Sequence, residues 1–152
     1  MFFSRNMGWS MYQFITAISF VCLSLCVNEP PSDLDLMQGT WVIQSAELSG
    51  NPFPTDLSKS IQLKIEGDNY IVTSMGKSDK GTCKLNPAAL PKTLELTGVE
   101  GPNTGKTILA IYEVKEGELK VCYDLSGKEF PKEFKSVNGT LLFLVNYTRE
   151  KK

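Results

Sequence analysis

The 152-residue chain contains no histidine. That absence removes the commonest general base and the commonest metal ligand together. The serines therefore have no imidazole to activate them, and no lysine stands at a distinctive catalytic spacing from one. Charge of one sign is equally scarce. The 16 basic and 17 acidic residues are interspersed and give a net charge of −1. With no basic stripe, nucleic-acid binding has no electrostatic footprint. Carboxylates dense enough for a metal are lacking too. "EGDN" (Glu66 to Asn69) falls short of a calcium loop and reads as a turn. Glu113, Glu116 and Glu118 lie on or near a hairpin turn as solvated charge. The expectation is a non-enzymatic chain with no catalytic residue, no metal and no cofactor.

Apolar runs are short except at the start. Arg5 and the amino terminus precede "WSMYQFITAISFVCLSLC" (Trp9 to Cys26), which gives way to polar, proline-rich "VNEPPSD". Ser, Thr and Gln interrupt this core too often for a membrane span, whereas an export signal tolerates them. The expected organisation is a signal peptide over 1–26, a linker with a short helical turn over 27–38, and one domain over 39–152, located extracytoplasmically. "LSLC" resembles a bacterial lipobox with Cys26 as the lipidation site. Leu25, however, stands where a small residue is usual, so ordinary cleavage near Cys26 is preferred. Membrane attachment would require lipidated Cys26 or an uncleaved signal. Cleavage removes Arg5 and no acid, leaving 15 basic against 17 acidic residues, net −2. It also leaves two cysteines, Cys83 and Cys122.

Helical periodicity is nearly missing from the rest. "PSDLDLMQG" (Pro31 to Gly39) suits one helical turn, with Ser32 or Asp33 as N-cap and Gly39 as the stop. Beyond it, polar and apolar residues alternate. "SIQLKIE" turns at Gly67-Asp68 into "NYIVTSM", which pairs Ile65 with Tyr70 and Leu63 with Val72. "TILAIYEVK" turns at Glu116-Gly117 into "ELKVCYD", which pairs Val114 with Leu119. Further strands are "GTWVIQSAE", "KGTCKL", "KTLELTG" and "TLLFLVNYT". Eight short antiparallel strands mean a sandwich or a barrel, and closure is favoured because it removes exposed edges. The expected fold is all-β, an eight-stranded antiparallel up-and-down barrel. Parity points Cys83 inward and Cys122 outward, which argues against a disulfide between them.

"VEGPNTGKTIL" (Val99 to Leu109) looks superficially like a phosphate-binding loop. Only three residues separate Gly101 from Gly105 where the motif needs four, and Glu100 stands at the first-glycine position. The following residues are β-branched and aromatic and read as a strand, so no helix N-terminus faces a phosphate. It is a turn between strands.

Gly39-Thr40-Trp41, at the head of the first strand, resembles the lipocalin signature. In that superfamily a terminal arginine packs across the tryptophan to close one end of the barrel, and Arg149 in "NYTREKK" stands where the pattern asks. "KGTCKLNPAALPKTLELT", "EGPNTGKTILAIYEV" and "ELKVCYDLSGKEFPKEFKS" resemble a family of small extracytoplasmic lipocalin-like domains abundant in planctomycete bacteria. The resemblance implies export and a lipocalin-like fold, with Gly39, Trp41 and Arg149 as structural closure, and implies no activity.

An eight-stranded barrel either fills itself or holds one small ligand. Large inward residues favour a modest cavity, while the inward tyrosines need polar partners or a wet mouth. Tyr70, Tyr112, Tyr123 and Phe143 are the candidate ligand-binding residues for a small apolar molecule. The alternative is a protein-interaction or inhibitor barrel with a filled core. It would act through loops 49–59 and 126–136, with Phe53, Phe130 and Phe134 as anchors.

Overall fold

Period-two alternation closes into a continuous sheet. A computed structural model describes residues 29–151; the expected signal segment and Cys26 lie outside the described residues. The elements are α1 (Asp33–Met37), β1 (Gly39–Leu48), β2 (Asn51–Pro52), α2 (Thr55–Ser60), β3 (Ile61–Glu66), β4 (Asn69–Ser74), β5 (Lys77–Asn86), β6 (Thr93–Glu100), β7 (Thr107–Lys115), β8 (Glu118–Asp124) and β9 (Leu142–Arg149). Leaving aside the two-residue β2, each strand from β1 to β9 pairs with the next, and β9 returns to β1. The result is a closed eight-stranded antiparallel up-and-down barrel. Both hairpin registers match the alternation, with Ile65 opposite Tyr70 and Val114 opposite Leu119.

The two ends of the barrel differ. The β3–β4 and β7–β8 turns meet α1 and the end of β9, because the Gln38 amide exchanges hydrogen bonds with Gly67 and the Arg149 amide donates to the Gly117 carbonyl at 3.0 Å. Ser32 caps α1 in a reciprocal box with Asp35. Trp41 is fully buried under this helix and donates through Nε1 to the Met37 carbonyl at 2.8 Å. The Arg149 guanidinium lies 4.7 Å from the Trp41 ring and donates to the Leu36 and Gln38 carbonyls. Gly39 leads into this plug with φ of 113°, a conformation that favours glycine. α1 is pinned from its other side as well. Asp33 accepts from Lys92 Nζ and from Tyr112 Oη, both at 2.7 Å. Burial pushes the Asp33 carboxyl up, but the bonds from Lys92 and Tyr112 outweigh it and hold the carboxyl below its ordinary range. This end is plugged.

Some expectations change. The segment expected as loop 49–59 contains β2 and α2. α2 packs over the opposite end, and its six residues are too few to display a helical repeat. Phe53 turns inward to pack on the core, 5.1 Å from Phe143. Phe130 and Phe134 are half-buried rather than free, and Lys120 Nζ sits 5.1 Å over the Phe134 ring. The 126–136 segment thus folds back on the outer wall instead of projecting from it. It covers Cys122, whose thiol donates to the Lys135 carbonyl at 3.6 Å. Cys83 belongs to the interior cluster, and both cysteines are free thiols. Ile111 and Cys122 face each other across β7 and β8, fully buried yet outside the interior cluster.

Candidate functional site

The end opposite the plug contains a cavity of about 300 Å³. Its wall is aliphatic and aromatic, with Leu63, Val72, Leu96, Ile108 and Phe143 among its residues. They arrive there by strand parity, since inward positions two apart on one strand stack along the barrel axis. Tyr123 stacks on Phe143 with ring centroids 6.1 Å apart, so one side of the cavity is a continuous aromatic surface.

Of the four candidate ligand residues, Tyr70, Tyr123 and Phe143 line this cavity. Tyr112 does not. It is inward-facing and fully buried as its parity requires, but it stands at the plugged end with its hydroxyl committed to Asp33. Burial and the Asp33 carboxylate both raise the Tyr112 hydroxyl above its ordinary range. Gly39, Trp41 and Arg149 are likewise together at that end, away from the cavity lining.

Three polar cavity residues were not among the candidates. Tyr147 lies on the inward parity of β9, opposite Leu119, so its face was legible but its depth was not. Asp79 and Asn103 had no signal at all. β5 begins at Lys77, three residues earlier than alternation suggests, because Lys77, Ser78 and Asp79 contain no apolar residue. Asn103 belongs to the turn that resembled a phosphate loop.

That turn is fastened over the cavity. Asp79 Oδ1 accepts from the Asn103 backbone amide at 3.0 Å, and Oδ2 accepts from Asn103 Nδ2 at 2.9 Å and from Tyr70 Oη at 3.1 Å. Gly98 makes the close approach feasible, because a Cβ there would stand 2.0 Å from the Asn103 carbonyl oxygen. Outside the turn, Glu100 pairs with Lys80 at 3.0 Å and serves the β5–β6 contact rather than an anion site.

The tyrosine hydroxyls are all protonated groups at neutral pH. Burial raises Tyr70, and the neighbouring Asp79 charge and hydrogen bond raise it further. Tyr123 is also raised by burial, with Tyr147 adding to it. Tyr147 is pushed up to about 12 by burial, against a smaller opposing effect of its bond with Tyr123. The cavity therefore offers neutral hydroxyls and one hydrogen-bonded carboxylate, Asp79, on an apolar wall. Among the described residues no cluster of three or more Cys, Asp or Glu side chains could hold a metal, and no helix is long and apolar enough to cross a membrane.

No family model, curated protein or solved structure matches this chain.

Proposed function

We propose that the chain is an exported, non-enzymatic, lipocalin-like binding module that carries a small apolar ligand in the cavity opposite the Trp41–Arg149 plug. One observation carries this reading. The barrel is sealed at one end, while the other holds an apolar cavity of about 300 Å³, at the lower limit of ligand sites of about 300–1,000 Å³. Export rests on the apolar segment before Cys26, and membership of the extracytoplasmic lipocalin-like family rests on the resemblance of the mature sequence.

The loop-mediated alternative needs free aromatic anchors. Phe53 packs inward, and Phe130 and Phe134 are half-buried against the wall, so the ligand reading has the stronger support. Native mass spectrometry of protein purified from its own host tests the proposal. It should reveal a copurified small molecule that an apolar dye displaces. Saturable dye binding that is absent at every concentration would count decisively against a ligand module.

A further inference from the structure

The polar groups of the cavity have a pattern of their own. Tyr123 Oη and Tyr147 Oη are 3.1 Å apart, and the two residues are only 7% and 5% exposed. Two hydroxyls carry two protons, but one shared hydrogen bond uses only one of them. Among the described residues neither oxygen has a second hydrogen-bond partner. The remaining proton belongs to a hydroxyl on the cavity wall, where an unmade hydrogen bond is costly.

The charge pattern is equally one-sided. Among the described residues Asp79 is the only charged one in the lining, and its two oxygens already accept three hydrogen bonds from Asn103 and Tyr70. No described cation lies within ion-pair distance of it. An anion entering this cavity would lose its water, find no counter-charge and face a like charge. The three neutral donors leave the Asp79 charge in place, so the field of the cavity opposes anions specifically.

We propose that the cavity selects a molecule whose apolar body bears a neutral hydrogen-bond acceptor, a ketone or ester oxygen, seated on the Tyr123–Tyr147 hydroxyl pair, and that it rejects carboxylates. This rests on the ligand-binding reading above and specifies which ligands satisfy it. Tyr123 and Tyr147 together supply one donor to the acceptor oxygen, and Phe143, Leu96 and Ile108 surround the body of the molecule.

The test titrates the full chain, at neutral pH, with methyl heptyl ketone and nonanoate, each displacing an apolar fluorescent dye. The ketone should bind roughly tenfold or more tightly than nonanoate. Infrared spectroscopy of the carbonyl-labelled ketone should show a bound stretching frequency lowered from that in hydrocarbon. The Tyr123→Phe/Tyr147→Phe double variant should lose roughly tenfold in ketone affinity and the frequency shift, while still binding the dye. If that variant does not fold, the wild-type frequency decides. Nonanoate binding as well as the ketone, or a bound carbonyl frequency equal to that in hydrocarbon, overturns the selectivity and leaves the ligand module standing. Failure of both ligands to compete, with no dye binding, overturns the selectivity and the ligand module together.

Discussion

Replacing Arg149 with alanine removes the plug from the sealed end and leaves the cavity alone. The guanidinium makes two hydrogen bonds to the Leu36 and Gln38 carbonyls and one stacking contact with Trp41. Hydrogen bonds to a charged donor contribute about 1.5–3 kcal/mol each, and a cation–π contact about 0.5–2 kcal/mol. Arg149 is only half-buried, so solvent screening takes part of that sum, and a loss of about 2–4 kcal/mol is expected. For a domain of this size that is roughly 6–20 °C in Tm. Urea denaturation followed by circular dichroism, alongside a thermal scan, measures it. Arg149→Lys should recover less than half of the loss, because an ammonium cannot fork between two carbonyls while lying flat on an indole. Dye affinity should stay within about twofold, since Arg149 is not in the cavity lining. An Arg149→Ala protein within about 0.5 kcal/mol of wild type would refute the assignment of this residue as the closing device.

Three other perturbations follow from the same geometry. Ile108→Trp, which adds bulk to the cavity wall, should reduce dye affinity more than about tenfold at a stability cost of about 1–3 kcal/mol, read by titration and urea midpoint. Asp33 is held below its ordinary 3.8, so its contribution is fully present above that pH and is lost as pH falls through the folded value. Asp33→Asn should therefore lower stability at neutral pH and flatten the acid limb of the stability profile, as measured by urea midpoints across a pH series. Cys83 and Cys122 should be unreactive to a thiol reagent in the native protein and react together on unfolding, with no mass change on reduction. Burial raises both thiols, and they lie on opposite faces of the wall.

Parity in the sequence made the inward faces of the paired strands legible, except in β1, where a register shift between Ile43 and Ser45 turns Ala46 inward. "SIQLKIE" and "NYIVTSM" fall into register because Ile65 and Tyr70 must share a buried side, and the structure pairs them so. Depth along the barrel axis was not legible. Tyr112 and Tyr123 both face inward, yet one bonds Asp33 beneath α1 and the other lines the cavity. Which inward residue reaches which end depends on how far neighbouring strands are staggered, and alternation within a strand carries no stagger. Parity also says nothing of what covers an outward face. Cys122 points outward and is fully buried, because the 126–136 segment lies over it. Asp79 and Asn103 were hidden for a third reason. Their partnership spans 24 positions between the polar start of β5 and a polar turn, with no apolar pattern to anchor either one.

Nuclear magnetic resonance of the labelled protein titrated with methyl heptyl ketone tests the central claim most directly. Saturable shifts concentrated at Tyr70, Val72, Leu96, Tyr123, Phe143 and Tyr147, with Trp41 and Tyr112 at the plugged end nearly unmoved, are the predicted result. Shifts that fail to saturate, or that map to the 126–136 segment on the outer wall, would contradict a ligand module built on this cavity.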